Sequence, residues 1–188
     1  MKRKIGVLGL QGDVREHVQA IARCGGAAVV VRLPEEVSQV DGLIIPGGES
    51  TTIGKLMVRF GLIEPVQAMA REGKPILGTC AGMILMAREI SGSDQPRLGV
   101  MDITVRRNAY GRQVESFEAD LEATEALGGG ALRGVFIRAP RIAAMGPGVE
   151  ILGTYQGEPV LVRQGRLLAA AFHPELTEET RVHQLLLD

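Results

Sequence analysis

Short apolar runs alternate with helix-like segments through the first half of the chain. Residues 5–10 are almost entirely apolar, and the segment after Asp13 repeats apolar residues at helical spacing until Gly25-Gly26. Further apolar runs occupy residues 27–33, 43–45 and 75–79. Strands that are covered on both faces are typically continuous apolar runs. The alternation therefore predicts an α/β fold, with a doubly wound, mostly parallel central sheet and helices on both faces.

Capping residues and glycine turns divide the rest of the chain. Asp13 is expected to cap the first helix, and helices are expected over residues 63–71 and 81–89. Thr177 is expected to cap a final helix that turns Val182, Leu185 and Leu186 inward. Strands separated by glycine turns are expected at residues 100–106, 134–138, 149–155, 160–163 and 167–172.

Composition excludes several classes of function. The chain of 188 residues is 45% hydrophobic and 23% charged with a formal net charge of −1, which predicts a single globular domain over residues 1–188. Aromatic residues make up only 3% and no basic stripe is present, so a nucleic-acid surface is not expected. No apolar run is long enough to cross a membrane. The basic start leads into a strand rather than a signal sequence, so we expect a cytoplasmic protein.

Cys80 stands where the fourth apolar run meets a helical segment, within Gly78-Thr79-Cys80-Ala81-Gly82. This is the layout of a nucleophile elbow, in which a sharp turn projects the side chain and glycines relieve crowding. The positive end of the following helix favours the thiolate, and the N–H of Ala81 can bind an oxyanion. The alternative is a small buried cysteine in a tight turn. The other cysteine, Cys24, lies near the end of an amphipathic segment and is expected to fill the core.

A thiolate nucleophile needs a base, and the chain has three histidines. His173 follows the apolar run 167–172, again at a strand end, and Glu175 can accept from its second ring nitrogen. This spacing predicts a Cys-His-Glu triad. The alternative is a turn histidine beside a surface glutamate. His17 and His183 fall on helical segments and are expected at the surface or on a helix flank.

Neither a metal nor a nucleotide cofactor is expected. Cys80 and His173 have no partner ligands at metal-binding spacing. Residues 48–55 look like a P-loop, but five residues rather than four separate the glycines, and Leu56 replaces the metal-binding Ser or Thr.

Three motifs in this order resemble the triad class of glutamine amidotransferases: Pro46-Gly47-Gly48-Glu49-Ser50, residues 78–82 and His173-Pro174-Glu175. The chain is similar above all to one branch, the glutaminase subunit of pyridoxal 5′-phosphate synthase. Ile84 supports that branch, because many amidotransferases of other pathways carry Gln at this position. Further segments carry the resemblance over nearly the whole chain: residues 7–12, Arg107-Asn108, 111–113, 116–120, 136–140 and 172–177.

The resemblance implies a flavodoxin-like fold of class I glutamine amidotransferases and a role for each motif. Cys80 would be the nucleophile, and His173 and Glu175 would complete the triad. Backbone N–H groups of Gly47, Gly48 and Ala81 would bind the oxyanion. The two arginines would suit a carboxylate, since a guanidinium binds one in a bidentate manner. The implied glutamine-binding residues are Gly47, Gly48, Glu49, Arg107, Ile137 and Arg138.

The implied reaction is hydrolysis of L-glutamine to L-glutamate and ammonia through a γ-glutamyl thioester. The ammonia would pass to the lyase subunit of pyridoxal 5′-phosphate synthase, in a large hetero-oligomeric ring. A rival interpretation is a stand-alone cysteine hydrolase or stress protein of a related fold. Such proteins tend to place an acid near the cysteine and a histidine soon after it, and neither stands beside Cys80. A regulatory module with a dead site is disfavoured, because every triad position is filled.

Overall fold

The structure, a computed structural model, describes residues 2–107 and 116–188. Asn108 and residues 111–113, which contribute to the resemblance, lie outside the described residues. The helices are α1 (Val14–Arg23), α2 (Pro34–Val37), α3 (Ser50–Arg59), α4 (Ile63–Arg71), α5 (Ala81–Met86) and α6 (Arg181–Gln184). The strands are β1 (Lys4–Leu8), β2 (Ala27–Val31), β3 (Gly42–Ile45), β4 (Ile76–Thr79), β5 (Ala87–Ile90), β6 (Met101–Arg106), β7 (Ser116–Ala123), β8 (Ala131–Ile137), β9 (Arg141–Met145), β10 (Glu150–Tyr155), β11 (Glu158–Gln164) and β12 (Leu167–Ala170). Short 3₁₀ turns cover Glu125–Leu127 and Pro174–Leu176.

A nine-stranded sheet in the order β2-β1-β3-β4-β12-β11-β10-β7-β8 forms the centre of the molecule. Its first five strands pair in parallel, in the order that defines flavodoxin-like sheets, and β12 takes the fifth place. The remaining four strands extend the sheet with antiparallel pairs. A smaller sheet contains β5-β6-β9. The expected α/β fold is confirmed, and the carboxyl ends of β1, β3, β4 and β12 meet at one edge.

The centre of the parallel half of the sheet is deeply buried. Every residue of β3 and β4 is buried, which explains why these strands appear in the sequence as continuous apolar runs. Phe172, directly after β12, is fully buried as well. The strand ends that carry the site thus extend from a rigid core. None of the helices in the described part of the chain is long and apolar enough to cross a membrane.

The helix expected over residues 81–89 ends at Met86, and the chain continues as β5. The backbone groups freed there bind the following loop: the N–H of Leu98 donates to the oxygen of Leu85 at 2.7 Å, and that of Val100 to Met86 at 3.0 Å. A run that is apolar on all sides has no periodicity by which to separate helix from strand.

The final helix is shorter than expected, and Thr177 does not cap it. Thr177 instead closes a local turn, in which its hydroxyl donates to the oxygen of Pro174 and accepts from the N–H of Glu179. The helix α6 begins only after Thr180. Such hydroxyl-to-backbone bonds compete with helix formation. Val182 and Leu186 are fully buried, as expected, whereas Leu185 is only half-buried.

Candidate active site

Cys80 lies at the tip of a strained turn between β4 and α5. Its φ of 50° and ψ of −103° are rare for a residue with a side chain, and such strain is common at functional sites. The Cys80 N–H donates to the oxygen of Ala170 at 2.8 Å, and Sγ lies 3.6 Å from the oxygen of Ile137. The turn needs a glycine at position 82, because a Cβ there would stand 2.0 Å from the oxygen of Ile45. The geometry is that of a nucleophile elbow.

His173 and Glu175 form a buried pair behind this turn. His173 Nδ1 lies 2.7 Å from Glu175 Oε1, and the two side chains are 4% and 0% exposed. Pro174 opens the 3₁₀ turn between them and fixes the backbone. His173 and Cys80 line the same cavity. Because Nδ1 faces the glutamate, Nε2 is the ring nitrogen left for the thiol.

Asp13 provides a second carboxylate to the same ring nitrogen. Its Oδ2 lies 3.2 Å from His173 Nδ1, and its side chain is 36% exposed. Asp13 stands at the expected N-cap position of α1, but its side chain makes no capping hydrogen bond. Sequence reasoning missed this residue, because an aspartate before a helix has an ordinary role as a cap.

The charges around His173 favour its protonated form. Burial on its own would lower the pKa of His173, but hydrogen bonds with Asp13, Cys80 and Glu175, and the charge of Glu175, raise that pKa to about 12. Burial raises the pKa of Glu175, and the hydrogen bond and charge of His173 partly offset the rise. The arrangement suits an imidazolium that can give a proton to a leaving group.

The loop after β3 is held against the loop after β1. The N–H of Asp13 donates to the oxygen of Gly47 at 3.0 Å, and the N–H of Glu49 donates to Gln11 Oε1 at 2.7 Å. The contact leaves no room for side chains, because a Cβ on Gly12 would stand 1.8 Å from the oxygen of Gly47. Gly12 also has a φ of +102°, which favours glycine. The orientation of the Gly47-Gly48 peptide therefore depends on residues 11–13.

Arg107 is held in place beside this loop. Its guanidinium donates to Gln95 Oε1 at 2.6 Å and to Thr51 Oγ1 at 3.1 Å, and it lies 3.4 Å from Glu49 Oε1. The Glu49 carboxylate also caps α3 by accepting from the N–H groups of Thr51 and Thr52. Burial would raise the pKa of Glu49, but these bonds together with Arg107 hold it below its usual value. Gln95 was missed by sequence reasoning.

A cavity of about 590 Å³ brings most of the expected residues together. Among the expected residues it is lined by Gly48, Glu49, Cys80, Ala81, Arg107, Ile137, Arg138 and His173. Gly47 packs against His173, and a Cβ on Gly47 would lie 2.4 Å from His173 Cε1. Arg138 is exposed and has a φ of 46°. Ala81 is the first residue of α5, so its N–H has no partner within the helix.

His17 and His183 are fully buried, contrary to the expectation of surface or helix-flank positions. His17 Nδ1 lies 2.9 Å from His183 Nε2, and His17 Nε2 lies 3.0 Å from Thr79 Oγ1. Helical spacing could have revealed His17, since it precedes the buried Ile21 by one turn. The prediction that Cys24 fills the core was also wrong. Cys24 follows the last residue of α1 in a half-buried position, with Sγ 3.7 Å from the oxygen of Thr180.

Asp13, His173 and Glu175 offer three potential metal ligands within 4.8 Å of one another. The 2.7 Å separation of His173 Nδ1 and Glu175 Oε1 is that of a hydrogen bond, so this nitrogen donates a proton rather than a lone pair.

Comparisons with known proteins agree with one another. The sequence profile of the SNO glutamine amidotransferase family matches residues 7–188. The pyridoxal 5′-phosphate synthase subunit PdxT of Pelotomaculum thermopropionicum is 58% identical over 185 residues, which cover 98% of this chain and 94% of that protein. PdxT of Geobacillus kaustophilus is 56% identical, with 98% and 93% covered. A crystal structure of a glutamine amidotransferase superimposes with a TM-score of 0.92 at 54% identity, covering 97% and 96% of the two chains. The structure of PurLQS from Thermotoga maritima shares the fold at 18% identity, with a TM-score of 0.75 over 100% of this chain and 98% of that one.

Proposed function

Because the chain belongs to the SNO glutamine amidotransferase family, we propose that it hydrolyses L-glutamine to L-glutamate and ammonia. One observation carries the assignment of the catalytic residues: the strained Cys80 opens into the same cavity as His173, whose Nδ1 lies 2.7 Å from Glu175. A nucleophile, a proton carrier and an orienting acid thus stand in the order that acyl transfer requires.

In the first half of the reaction, the Cys80 thiolate attacks the side-chain carbonyl carbon of glutamine. The resulting oxyanion is held by the N–H of Ala81 and an N–H of the Gly47-Gly48 loop. His173 gives its Nε2 proton to the amide nitrogen, the C–N bond breaks, and ammonia leaves. A γ-glutamyl thioester remains on Cys80.

In the second half, a water molecule attacks the thioester. His173, now neutral, accepts the proton of that water, and the C–S bond breaks to release glutamate and the thiolate. Glu175 holds the ring in one orientation and stabilises the imidazolium at both stages. The sum of the two halves is glutamine plus water giving glutamate plus ammonia.

Arg107 and Arg138 are proposed to bind the α-carboxylate of glutamine. Both line the cavity, and the Arg107 side chain is already fixed by Gln95 and Thr51, so little conformational entropy is lost on binding. The Ile137 carbonyl lies beside Sγ, and the Glu49 carboxylate positions both Arg107 and the start of α3.

The proposed destination of the ammonia is a pyridoxal 5′-phosphate synthase subunit. The relatives are named as PdxT subunits of that synthase and match 98% of this chain. We propose that the partner forms a large ring with several copies of this chain around it. A cytoplasmic location fits the proposal, because a catalytic thiol is best kept reduced there.

Partner binding is proposed to control the oxyanion site. The Gly47-Gly48 peptide is tied to the N–H of Asp13, and the adjoining Gly48-Glu49 peptide is tied to the side chain of Gln11. A surface that docks on residues 11–12 can therefore reorient this loop. The free chain should then be a weak glutaminase, and the synthase should raise kcat. By linkage, glutamine should tighten the complex by the same free energy by which the synthase tightens glutamine binding.

The test is a glutamate and ammonia assay with the chain alone and with the synthase subunit co-purified from the host. Activity should rise with the partner, vanish in Cys80→Ala and persist in Cys24→Ala. Calorimetry of Cys80→Ser with the synthase should show tighter binding when glutamine is present. Full activity of the free chain together with equal affinities in both titrations would indicate an independent hydrolase.

A further inference from the structure

The carboxylate of Glu175 has a second oxygen that the triad does not use. Oε1 faces His173, whereas Oε2 is buried and makes no hydrogen bond among the described residues. A buried carboxylate oxygen without a partner costs free energy. The polar group facing it is His17 Nε2, at 3.5 Å, and both side chains are fully buried.

We propose that His17 is a positioning residue for the triad, and that its Nε2–H faces Glu175 Oε2 and holds the carboxylate in place. This inference rests on the proposed function, since it assigns His17 a role in the reaction of Cys80. The contact joins α1 to the 3₁₀ turn Pro174–Leu176, two segments that are distant in sequence. His17 acts through Glu175 and touches neither the substrate nor Cys80.

The hydrogen bonds around His17 decide which of its nitrogens carries the proton. If His183 Nε2 donates to His17 Nδ1, the proton of His17 lies on Nε2, directed at Thr79 Oγ1 and Glu175 Oε2. His183 Nδ1, which has no hydrogen-bond partner among the described residues, is then a bare lone pair. The opposite arrangement would bury an unpaired N–H at His183 and turn a lone pair of His17 towards a carboxylate. The first arrangement is therefore favoured.

Both imidazoles are neutral, so they supply a dipole rather than a charge. Burial, with further effects of His183 and His173, holds the pKa of His17 well below its usual value. Burial also lowers the pKa of His183, to about 4. A dipole directed at the carboxylate favours its ionised form without competing with His173 for it. The series from His183 through His17 and Glu175 to His173 is thus polarised towards Cys80.

The test compares two amides at position 17 in the assay with the synthase. Gln places its amide nitrogen near the position of imidazole Nε2, whereas Asn places it near Nδ1 and cannot reach Glu175. We expect His17→Gln to retain kcat within about threefold, and His17→Asn to lose about tenfold with an unchanged KM for glutamine. Each variant is assayed below the midpoint of its own thermal unfolding. Should His17→Asn not fold, His17→Met fills the space without a donor and takes its place.

A double-mutant cycle separates positioning from general loosening of the fold. In a Glu175→Gln background, the Asn variant should lower kcat by less than about twofold further, because the two residues act as one unit. Equal losses for Gln and Asn, no loss for either, or a full tenfold loss in the Glu175→Gln background would overturn the proposal. Lack of glutaminase activity in the wild type would instead refute the proposed function.

Discussion

Gly47→Ala should lower kcat strongly while leaving the fold intact. A Cβ at this position would stand 2.4 Å from His173 Cε1 and 3.0 Å from Asp13 Oδ2. Ordinary contact begins at 3.4 Å, so the ring or the loop must move by about 1 Å. A misplacement of this size at a reacting group costs roughly a hundredfold in rate. We therefore expect kcat to fall about a hundredfold, with a steric cost in stability of about 1–3 kcal/mol.

The assay is glutamate release in the presence of the synthase, with thermal unfolding followed in parallel. Gly148→Ala is the matched control, because the nearest atom to its Cβ would be Gln164 Nε2 at 3.8 Å. The control should keep both kcat and melting temperature. A Gly47→Ala enzyme with kcat within about twofold of wild type and an unchanged melting temperature would refute the close packing of the loop against His173.

Three further predictions concern charge. Arg107→Ala and Arg138→Ala should each raise KM for glutamine about ten- to a hundredfold, because a charge-assisted contact contributes about 1.5–3 kcal/mol. An unchanged KM in both variants would show that neither arginine binds glutamine. Asp13→Asn should lower the pKa of His173, so the alkaline limb of the pH–rate profile should move to lower pH; a fixed limb would show that Asp13 does not stabilise the imidazolium. His183→Gln should reduce the acid sensitivity of folding. The pKa of His183 falls from 6.5 to about 4 on folding, so the folded state loses up to about 3 kcal/mol of stability as the pH drops through that window. Denaturant unfolding at pH 7 and pH 5 should show a smaller loss of stability in the variant than in the wild type. Identical losses would contradict the burial of His183.

The elbow and the strand ends could be predicted from local signals. Cys80 follows a continuous apolar run and precedes a helix, and parallel strands bring their carboxyl ends to a common edge. Three strands, β5, β7 and β9, were not predicted. The alternation in β7 places Leu121 inward between exposed charged residues, which is typical of a half-covered antiparallel strand. This alternation was present in the sequence, but residues 116–120 were interpreted only as part of the family resemblance.

The roles of Asp13, His17 and Gln95 could not be predicted from local signals alone. Asp13 meets a histidine 160 positions later in the chain, and His17 meets His183 across 166 residues. Such contacts depend on which elements the sheet order brings together. Helical spacing can place His17 on the buried face of α1, but it does not identify the residue that His17 contacts there. Only the packed structure identifies that contact.

Cleavage of glutamine through a thioester on Cys80 can be tested by trapping that intermediate. The complex with the synthase is mixed with glutamine, quenched in acid within one turnover, and digested for mass spectrometry. We expect a γ-glutamyl adduct on the peptide that contains Cys80, stronger in a variant with slowed hydrolysis and absent in Cys80→Ser. Glutamate formation at the wild-type rate by Cys80→Ala, or an adduct on Cys24 instead, would contradict it.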